Sequence, residues 1–492
     1  MKRIISLLLS IVTVLGLFAL VACAKDNDQG GSDGPAPTPE DFTHPLMEAG
    51  LDFDGYHVTF ALSSADVDGS NGRISCDVEE KTGDTVVDAI YARNQLVEQT
   101  LNVVIEPVLY TNHTKFTEGV LPSLLSQTDD YNILWGQQAN DIDLCLEGYV
   151  LDLNKLSDDQ NYINYEEDWW ATQYINYYKY DNELFWLSSP LSLIYLGGAS
   201  CTLVNKRIYD ANFEAIYGNI YDYVREGKWT IDDMVAMSNT IHNDANNNNK
   251  IDEGDVIGSA FQSSWTIMQL LVGVGLECSV RNADGSITFG VTKDNRKYVD
   301  TVQKTFNLFE SAPGIDNSIQ WKNYFAEGNQ LFNITSISDL GGAKIREMTD
   351  DFYLIPNPKL DVNQAAYRSA MSDGNQIMGI SWTCQNIPAA TATLELMAYL
   401  NKKMVEDVYF EEALKFKFSR DNDTPEMIEL VHNSVYVDFV LIWERYLFDT
   451  HWIRYSGYKN NIASQISKVQ DKWIKFFDET IEKLKAAGKE TT

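Results

Sequence analysis

The stretch from Tyr56 to Pro107 constrains the fold more than any other part of the chain. Tyr56 to Leu62 alternates and is rich in β-formers, as expected of a half-buried strand. Thr85 to Leu101 then sets Val86, Ile90, Val97 and Leu101 on one helical stripe with Ala89 beside it, and Val103 to Pro107 is strand-like again. Strand, helix and strand in this order are the unit from which open α/β sheets are built. Tyr131 to Trp135 adds a short apolar strand running into Gly136-Gln137-Gln138. In such sheets ligands settle beyond the carboxyl ends of strands, so the Trp135–Gln138 loop is the first binding-site candidate.

The middle of the chain reads as aromatic and mostly helical through Trp169, Trp170, Tyr174, Tyr177, Tyr178 and Tyr180, followed by a strand-like Leu184 to Leu187. Periodicity predicts helices at Ile231 to Asn243 and around Asn295 to Glu310, with an acidic, asparagine-rich loop between them. From Ala389 on the pattern is dominated by helix, ending in Gln465 to Ala487 with its alternating charges. No tandem repeat is visible.

The amino-terminal end has a different character. Lys2 and Arg3 precede an almost unbroken apolar run from Ile4 to Ala22, the pattern of an export signal over residues 1–22. The run closes on Leu20-Val21-Ala22-Cys23, which resembles a lipobox. That resemblance implies cleavage before Cys23 and a lipid such as palmitate on its thiol, anchoring the protein to the cell membrane on its extracellular face. A plain transmembrane helix is the alternative reading of the run. Ala24 to Glu40 holds no apolar residue larger than alanine or proline, so it has nothing to pack and reads as a tether, taken as 23–50. Gly30-Gly31-Ser32-Asp33-Gly34 within it matches G-x-S-x-G but lacks the flanking strand and helix that make that motif a nucleophile elbow.

Composition removes several functions. Thirty-eight Lys and Arg against 71 Asp and Glu give a formal net charge of −33, a surface that repels nucleic acid and cannot attach through a basic patch. Beyond Cys23 stand Cys76, Cys145, Cys201, Cys278 and Cys384, an odd set with no C-x-x-C pair for metal or redox work. At most two disulfides can form from them, and Cys201 and Cys384 read as buried free thiols. None of the six histidines lies in an H-E-x-x-H arrangement.

One loop carries metal-binding chemistry. Asp244, Asn246, Asn248, Asp252 and Asp255 occupy positions 1, 3, 5, 9 and 12 of a twelve-residue stretch, with the Lys250 carbonyl at position 7. Hard cations such as Ca²⁺ take six to eight oxygens at roughly 2.3 to 2.6 Å, and this spacing lets a short loop converge them. Asn249 stands where glycine usually makes the turn, and Asp255 is shorter than the usual glutamate. The expectation is a structural Ca²⁺ and no catalytic cofactor; a metal-free, asparagine-rich turn is the other reading.

Four segments then carry a family resemblance: Gly83-Asp84-Thr85-Val86-Val87-Asp88-Ala89-Ile90-Tyr91-Ala92-Arg93-Asn94; Asp168-Trp169-Trp170; Val204-Asn205-Lys206-Arg207; and Glu226-Gly227-Lys228-Trp229-Thr230-Ile231-Asp232-Asp233-Met234. The acidic loop, Ile257-Gly258 and the proline-containing Tyr353 to Tyr367 follow in order. In these segments the chain resembles the family 1 extracellular solute-binding proteins that deliver sugars to ABC transporters, over roughly residues 52 to 400. The resemblance implies an α/β, two-lobed periplasmic-binding-protein-like fold (type II) with a ligand cleft and a helix-rich carboxyl-terminal part. It implies one lobe from 51–155 and about 315–390, another from about 156–314 and 391–492, and crossings near Thr202 to Asn205 and Leu331 to Ser336. Implied partners are a carbohydrate or other small solute and the permease subunits, with no catalysis.

A pyranose offers apolar C–H faces for aromatic rings and hydroxyls for paired donors and acceptors. Eleven tryptophans are available. The ligand-binding candidates are Trp135 with Gln137 and Gln138, Trp186 near Ser188 and Ser189, Trp265, and Trp382. Each also has a plain reading as core packing. Trp229 before its helix start, and Trp169-Trp170, read as structural; Asp168, Asp232 and Asp233 read as helix caps or surface charge. Peptide binding remains an alternative, as does a glycan-active enzyme using Glu166, Glu167 or Asp168, which would need two acids about 5 to 10 Å apart. An adhesion module of the dockerin kind would need a second calcium-like loop.

Overall fold

The computed structural model describes residues 42–63, 75–248, 250–252, 254–261, 264–316, 324–372, 374–410, 421–444 and 461–490. The signal segment, Cys23, most of the tether and Asn249 lie outside the described residues. Among the described residues no helix is long and apolar enough to cross a membrane.

The opening unit forms as its sequence predicts. Asp84 caps helix Thr85–Leu101 by accepting the Val86 and Val87 N–H groups, and the predicted stripe Val86, Ile90, Val97 and Leu101 is fully buried. Asn102 ends the helix in the left-handed region at φ 49°. Strand β1 (Tyr56–Ser63) lies between β2 (Val103–Tyr110) and β3 (Ile133–Gln137), parallel to both. Two polar residues of the helix are buried as well. The Arg93 guanidinium donates to the Asn401 side chain at 2.8 Å and to the Cys76 and Ser75 carbonyls at 2.6 and 3.0 Å, tying three distant segments together. Burial lowers its pKa to about 10.

A second, five-stranded sheet has the order β10-β4-β9-β5-β8, built from β4 (Ser200–Asn205), β5 (Ile257–Ala260), β8 (Ile315–Asp316), β9 (Gln330–Ser336) and β10 (Phe352–Ile355). A small hairpin of β6 (Ser279–Arg281) and β7 (Ile287–Phe289) stands apart. The first sheet is completed by β11 (Gln376–Ile380), antiparallel to β3. Two open sheets, each with its own helices, give the two-lobed α/β fold.

The lobe boundaries differ from expectation. Strands β8, β9 and β10, expected to return to the first lobe, all pair within the second sheet, and the chain rejoins the first sheet only at Gln376. Helix Ile387–Asn401, expected in the second lobe, packs on helix Thr85–Leu101 of the first. The segment from about 142 to 187 also belongs to the first lobe, held there by the Leu151 N–H to Ile380 carbonyl bond and by a bridge from Leu187 to Met378. The proposed crossings fail for a related reason. Thr202 to Asn205 and Leu331 to Ser336 pair with each other or their sheet neighbours, and a buried central strand reads in sequence like an apolar linker. The chain crosses instead between Leu187, bridged to Met378 at the first sheet, and Ala199, bridged to Met371 at the second, and returns between Met371 and Gln376, well past Ser336.

The aromatic middle is less helical than its periodicity suggests. Between residues 151 and 190 the only α-helix is Thr172–Tyr178, because Asp152 and Asn161 satisfy local backbone groups instead. The tether also ends before residue 50. From Phe42 on the chain packs: His44 caps helix Pro45–Glu48, Leu46 is buried, and the His44 ring meets Trp169 and Tyr399. The last predicted helix divides into Ile462–Ser467 and Gln470–Glu490.

The structural readings of Trp169-Trp170 and Trp229 hold. Glu395, buried on helix Ile387–Asn401, accepts the Trp169 indole N–H at 3.1 Å, the Trp170 indole N–H at 2.8 Å and the Asn164 backbone N–H at 3.1 Å. Trp229 is buried and donates to the Pro356 carbonyl. Asp233 forms a capping box with Thr230, while Asp232 in the same first turn pairs with Lys304. All five described cysteines are free and buried, and burial pushes each thiol pKa up, which keeps them inert.

Candidate ligand cleft

Strand β3 delivers its carboxyl end to a recess between the lobes. Gly136 is required there: a Cβ would lie 2.7 Å from that of Asp141. The Gln137 N–H donates to the Asp141 carboxylate at 2.6 Å, and burial pushes that carboxyl up to about 7. The chain turns immediately into the short helix Gln138–Asp141, which places Gln138 and Ala139 on the wall of the recess beside Tyr174. Facing them is helix Ser264–Gly273 of the second lobe, with Trp265 and Val272. This helix follows the carboxyl end of β5 as Gln138 follows that of β3, so both walls obey the strand-end rule.

The floor is the crossing segment Ala370, Met371 and Ser372, with Tyr436, Val437, Leu441 and Ile442 closing one side. Buried polar contacts hold it in place. The Ser200 hydroxyl accepts the Ala370 N–H and an Asn357 side-chain N–H, each at 2.8 Å, and Asn357 in turn accepts the Thr202 hydroxyl at 2.9 Å. Every described residue lining the recess is neutral; its two tyrosines are kept protonated by burial. The enclosed space is about 40 Å³, room for a few waters at most, and reaches about 440 Å³ with the part open to solvent.

The structure brings together two of the seven predicted ligand residues, Gln138 and Trp265. Gln137 sits at the same strand end but accepts the Asn140 side-chain N–H and does not line the recess. Trp135 is a correction: it is 1% exposed and its N–H is taken by Gln376 at 2.9 Å, because a residue two positions before the strand end points into the sheet's packed face. Trp186 is likewise 1% exposed and donates to the Ile142 carbonyl, and Ser188 is fully buried beside Tyr178. Trp382 follows the carboxyl end of β11, and since β11 runs antiparallel to β3 this end lies at the opposite edge of the sheet. Glu166, Glu167 and Asp168 are exposed and none lines the recess. Tyr174, Met371, Tyr436 and Val437 carry no ligand signal in the sequence, since nothing short of the fold brings these three remote segments to one place.

The twelve-residue loop is wound on its own side chains. Asp244 and Asn246 oxygens both accept the Asn248 N–H, Asn248 accepts the Lys250 N–H at 2.7 Å, and buried Asp255 accepts the Ala245 and Asp252 N–H groups at 2.9 Å each. Among the described residues of the loop, Asn247 at φ 57° and Gly254 at φ 94° have positive φ. Asn246 and Asn248 donate their amide nitrogens to Asp252. Among the described residues no three His, Cys, Asp or Glu side chains converge as a metal site. The donor chemistry, three carboxylates, two amide oxygens and a carbonyl, suits a hard cation once those two amides rotate.

No family model matches the sequence, and no curated protein matches it. Solved structures do match by fold. The galacto-N-biose/lacto-N-biose I-binding protein of the ABC transporter from Bifidobacterium longum, in complex with lacto-N-biose, superposes with a TM-score of 0.54 at 11% identity, over 87% of this chain and 98% of that one. An ABC substrate-binding protein from Listeria monocytogenes, in complex with cycloalternan, gives 0.53 at 11%, over 86% and 100%. A family 1 extracellular solute-binding protein from Bifidobacterium longum subsp. infantis gives 0.51 at 13%, over 86% and 99%. These neighbours are binding proteins, and the chain shares their two-lobed fold.

Proposed function

We propose that this chain is a lipid-anchored solute-binding protein that captures an uncharged sugar or oligosaccharide between its lobes and passes it to an ABC permease without chemical change. The observation that carries the reading is the recess itself, made by both lobes and the segments joining them, with one partly buried tryptophan and no ionised side chain among its described residues. A peptide or amino acid brings charged termini whose desolvation needs partner charges, which these walls do not offer. A sugar needs an apolar face and neutral hydrogen-bonding groups.

Solute enters between the lobes in an open state and is held in a closed one. Contacts to both walls make closure more favourable with solute than without, which is a population shift with a stated cause. Cys23 supplies the anchor, and Asp244, Asn246, Asn248, Lys250, Asp252 and Asp255 hold a structural Ca²⁺ remote in function from the recess.

A thermal-shift screen of residues 41–492 against maltose, lacto-N-biose, cycloalternan, amino acids and short peptides tests the reading. A ligand specific for the folded state raises the melting temperature. A rise with a sugar recovered intact supports it; a rise with peptides alone, or a sugar returned cleaved, overturns it. For calcium, Asp244→Ala with Asp252→Ala is expected to abolish any Ca²⁺-dependent rise in melting temperature while sugar affinity stays within about twofold; a parallel loss of affinity would join the two sites.

A further inference from the structure

We propose that Tyr174 is a positioning residue that fixes which end of the Gln138 side-chain amide faces the cleft, so that this corner selects solutes presenting a hydrogen-bond acceptor. The proposal rests on the sugar-binding reading and adds the specificity of one wall.

The two ends of a glutamine amide are nearly equal in shape, and only their partners decide which way it lies. Here the Gln138 carbonyl oxygen takes the Tyr174 hydroxyl proton, with the Asn375 amide nitrogen 3.4 Å away on the same oxygen. Both donors converge on Oε1. The Nε2 group is thereby turned away from them, and among the described residues it makes no hydrogen bond of its own, on a residue that lines the recess. Two N–H donors at the wall are offered to whatever enters. A hydroxyl or ring oxygen can accept them; an ammonium or a C–H face cannot.

Tyr174 suits this role. Its ring is 2% exposed, set on helix Thr172–Tyr178 and held edge-on by Tyr178 and Tyr195 at 5.9 and 5.6 Å, so the hydroxyl cannot swing to another acceptor. Burial raises its pKa, which leaves the hydroxyl protonated and able to donate, and the Asn375 amide nitrogen, which can only donate, makes the shared atom Oε1 rather than Nε2. The backbone is fixed as well, through the Gln138 N–H on the Asn375 carbonyl at 2.8 Å. Asn375 is fully buried and its own Oδ1 has no partner, so the corner also holds an unsatisfied acceptor beside the oriented donor.

The test is isothermal titration of the full folded portion with whichever of maltose, lacto-N-biose or cycloalternan gives the largest thermal shift. Wild type, Tyr174→Phe, Gln138→Ala and the double variant form a cycle. Gln138→Ala is expected to weaken binding roughly tenfold, Tyr174→Phe roughly three- to tenfold, and the double variant no more than Gln138→Ala alone. Gln138→Glu, which still accepts from Tyr174 but cannot donate, is expected to match Gln138→Ala and serves in its place if that variant does not fold. Additive losses would make Tyr174 merely structural and overturn the proposal, as would unchanged affinity in both Gln138 variants while wild type binds. If none of the three sugars binds wild type, the sugar reading falls and takes the proposal with it.

Discussion

Trp170 and Trp265 are chemically the same residue in two regions that use it differently. At Glu395, Trp169 and Trp170 place both indole N–H groups on one buried carboxylate, which also takes a backbone N–H and has His44 3.5 Å away. In the recess, Trp265 is partly buried and its N–H makes no hydrogen bond among the described residues. A tryptophan whose donor is already engaged by the protein has only its volume to contribute, and it contributes it to packing. One whose face and donor are both free at a wall between lobes is available to a solute. Trp135, Trp186, Trp229 and Trp443 all fall with Trp170: each is buried and donates to another part of the chain.

The largest expected effect breaks the structural side of this contrast. Glu395→Leu leaves the buried Trp170 indole and the part-buried Trp169 indole and Asn164 backbone N–H without their acceptor and should lower unfolding free energy by about 3 kcal/mol, read in urea melts. Sugar affinity should stay within about twofold in whatever fraction remains folded. Next, Trp265→Ala removes the one aromatic face in the recess that has no structural task. Sugar affinity is expected to fall by about 2 kcal/mol, near thirtyfold, by calorimetry, with the melting temperature shifted by only about 2 °C. Stability losses of equal size in both variants would erase the distinction.

The smallest effect concerns pH at the first-lobe wall. Asp141 has its folded pKa raised by burial to about 7, above the unfolded value. The folded state then binds more protons than the unfolded one between pH about 4 and about 7, so this group's stabilising contribution is present below that window and is lost as pH rises through it. Asp141→Asn should flatten that part of the stability–pH curve, measured by urea melts from pH 4.5 to 8; an unchanged slope would assign it to other groups.

Much of the fold was legible because its signals are local. The stripe Val86, Ile90, Val97 and Leu101 and the helix start at Ile231 depend on neighbours in sequence, and each stands where its pattern placed it, while the strand expected over Tyr131 to Trp135 forms two residues later, over Ile133–Gln137. The site was legible only in part. The strand-end rule found Gln138, but tryptophan content chose among candidates without knowing which indole N–H groups were already bonded. The lobe boundaries failed for the same reason, since β9 and β10 read as apolar strands whichever sheet they join.

What the sequence determined by itself is therefore chemistry and local geometry: an acidic composition, cysteines without a C-x-x-C pair, and strand-helix units. What only the tertiary structure decided is which lone partners meet. Glu395 finds its indoles some 225 residues away in the chain, and Tyr174 finds Gln138 across 36. A hydrogen bond or a cleft wall is set by distance in space, and chain separation carries almost no information about that until the sheets have closed.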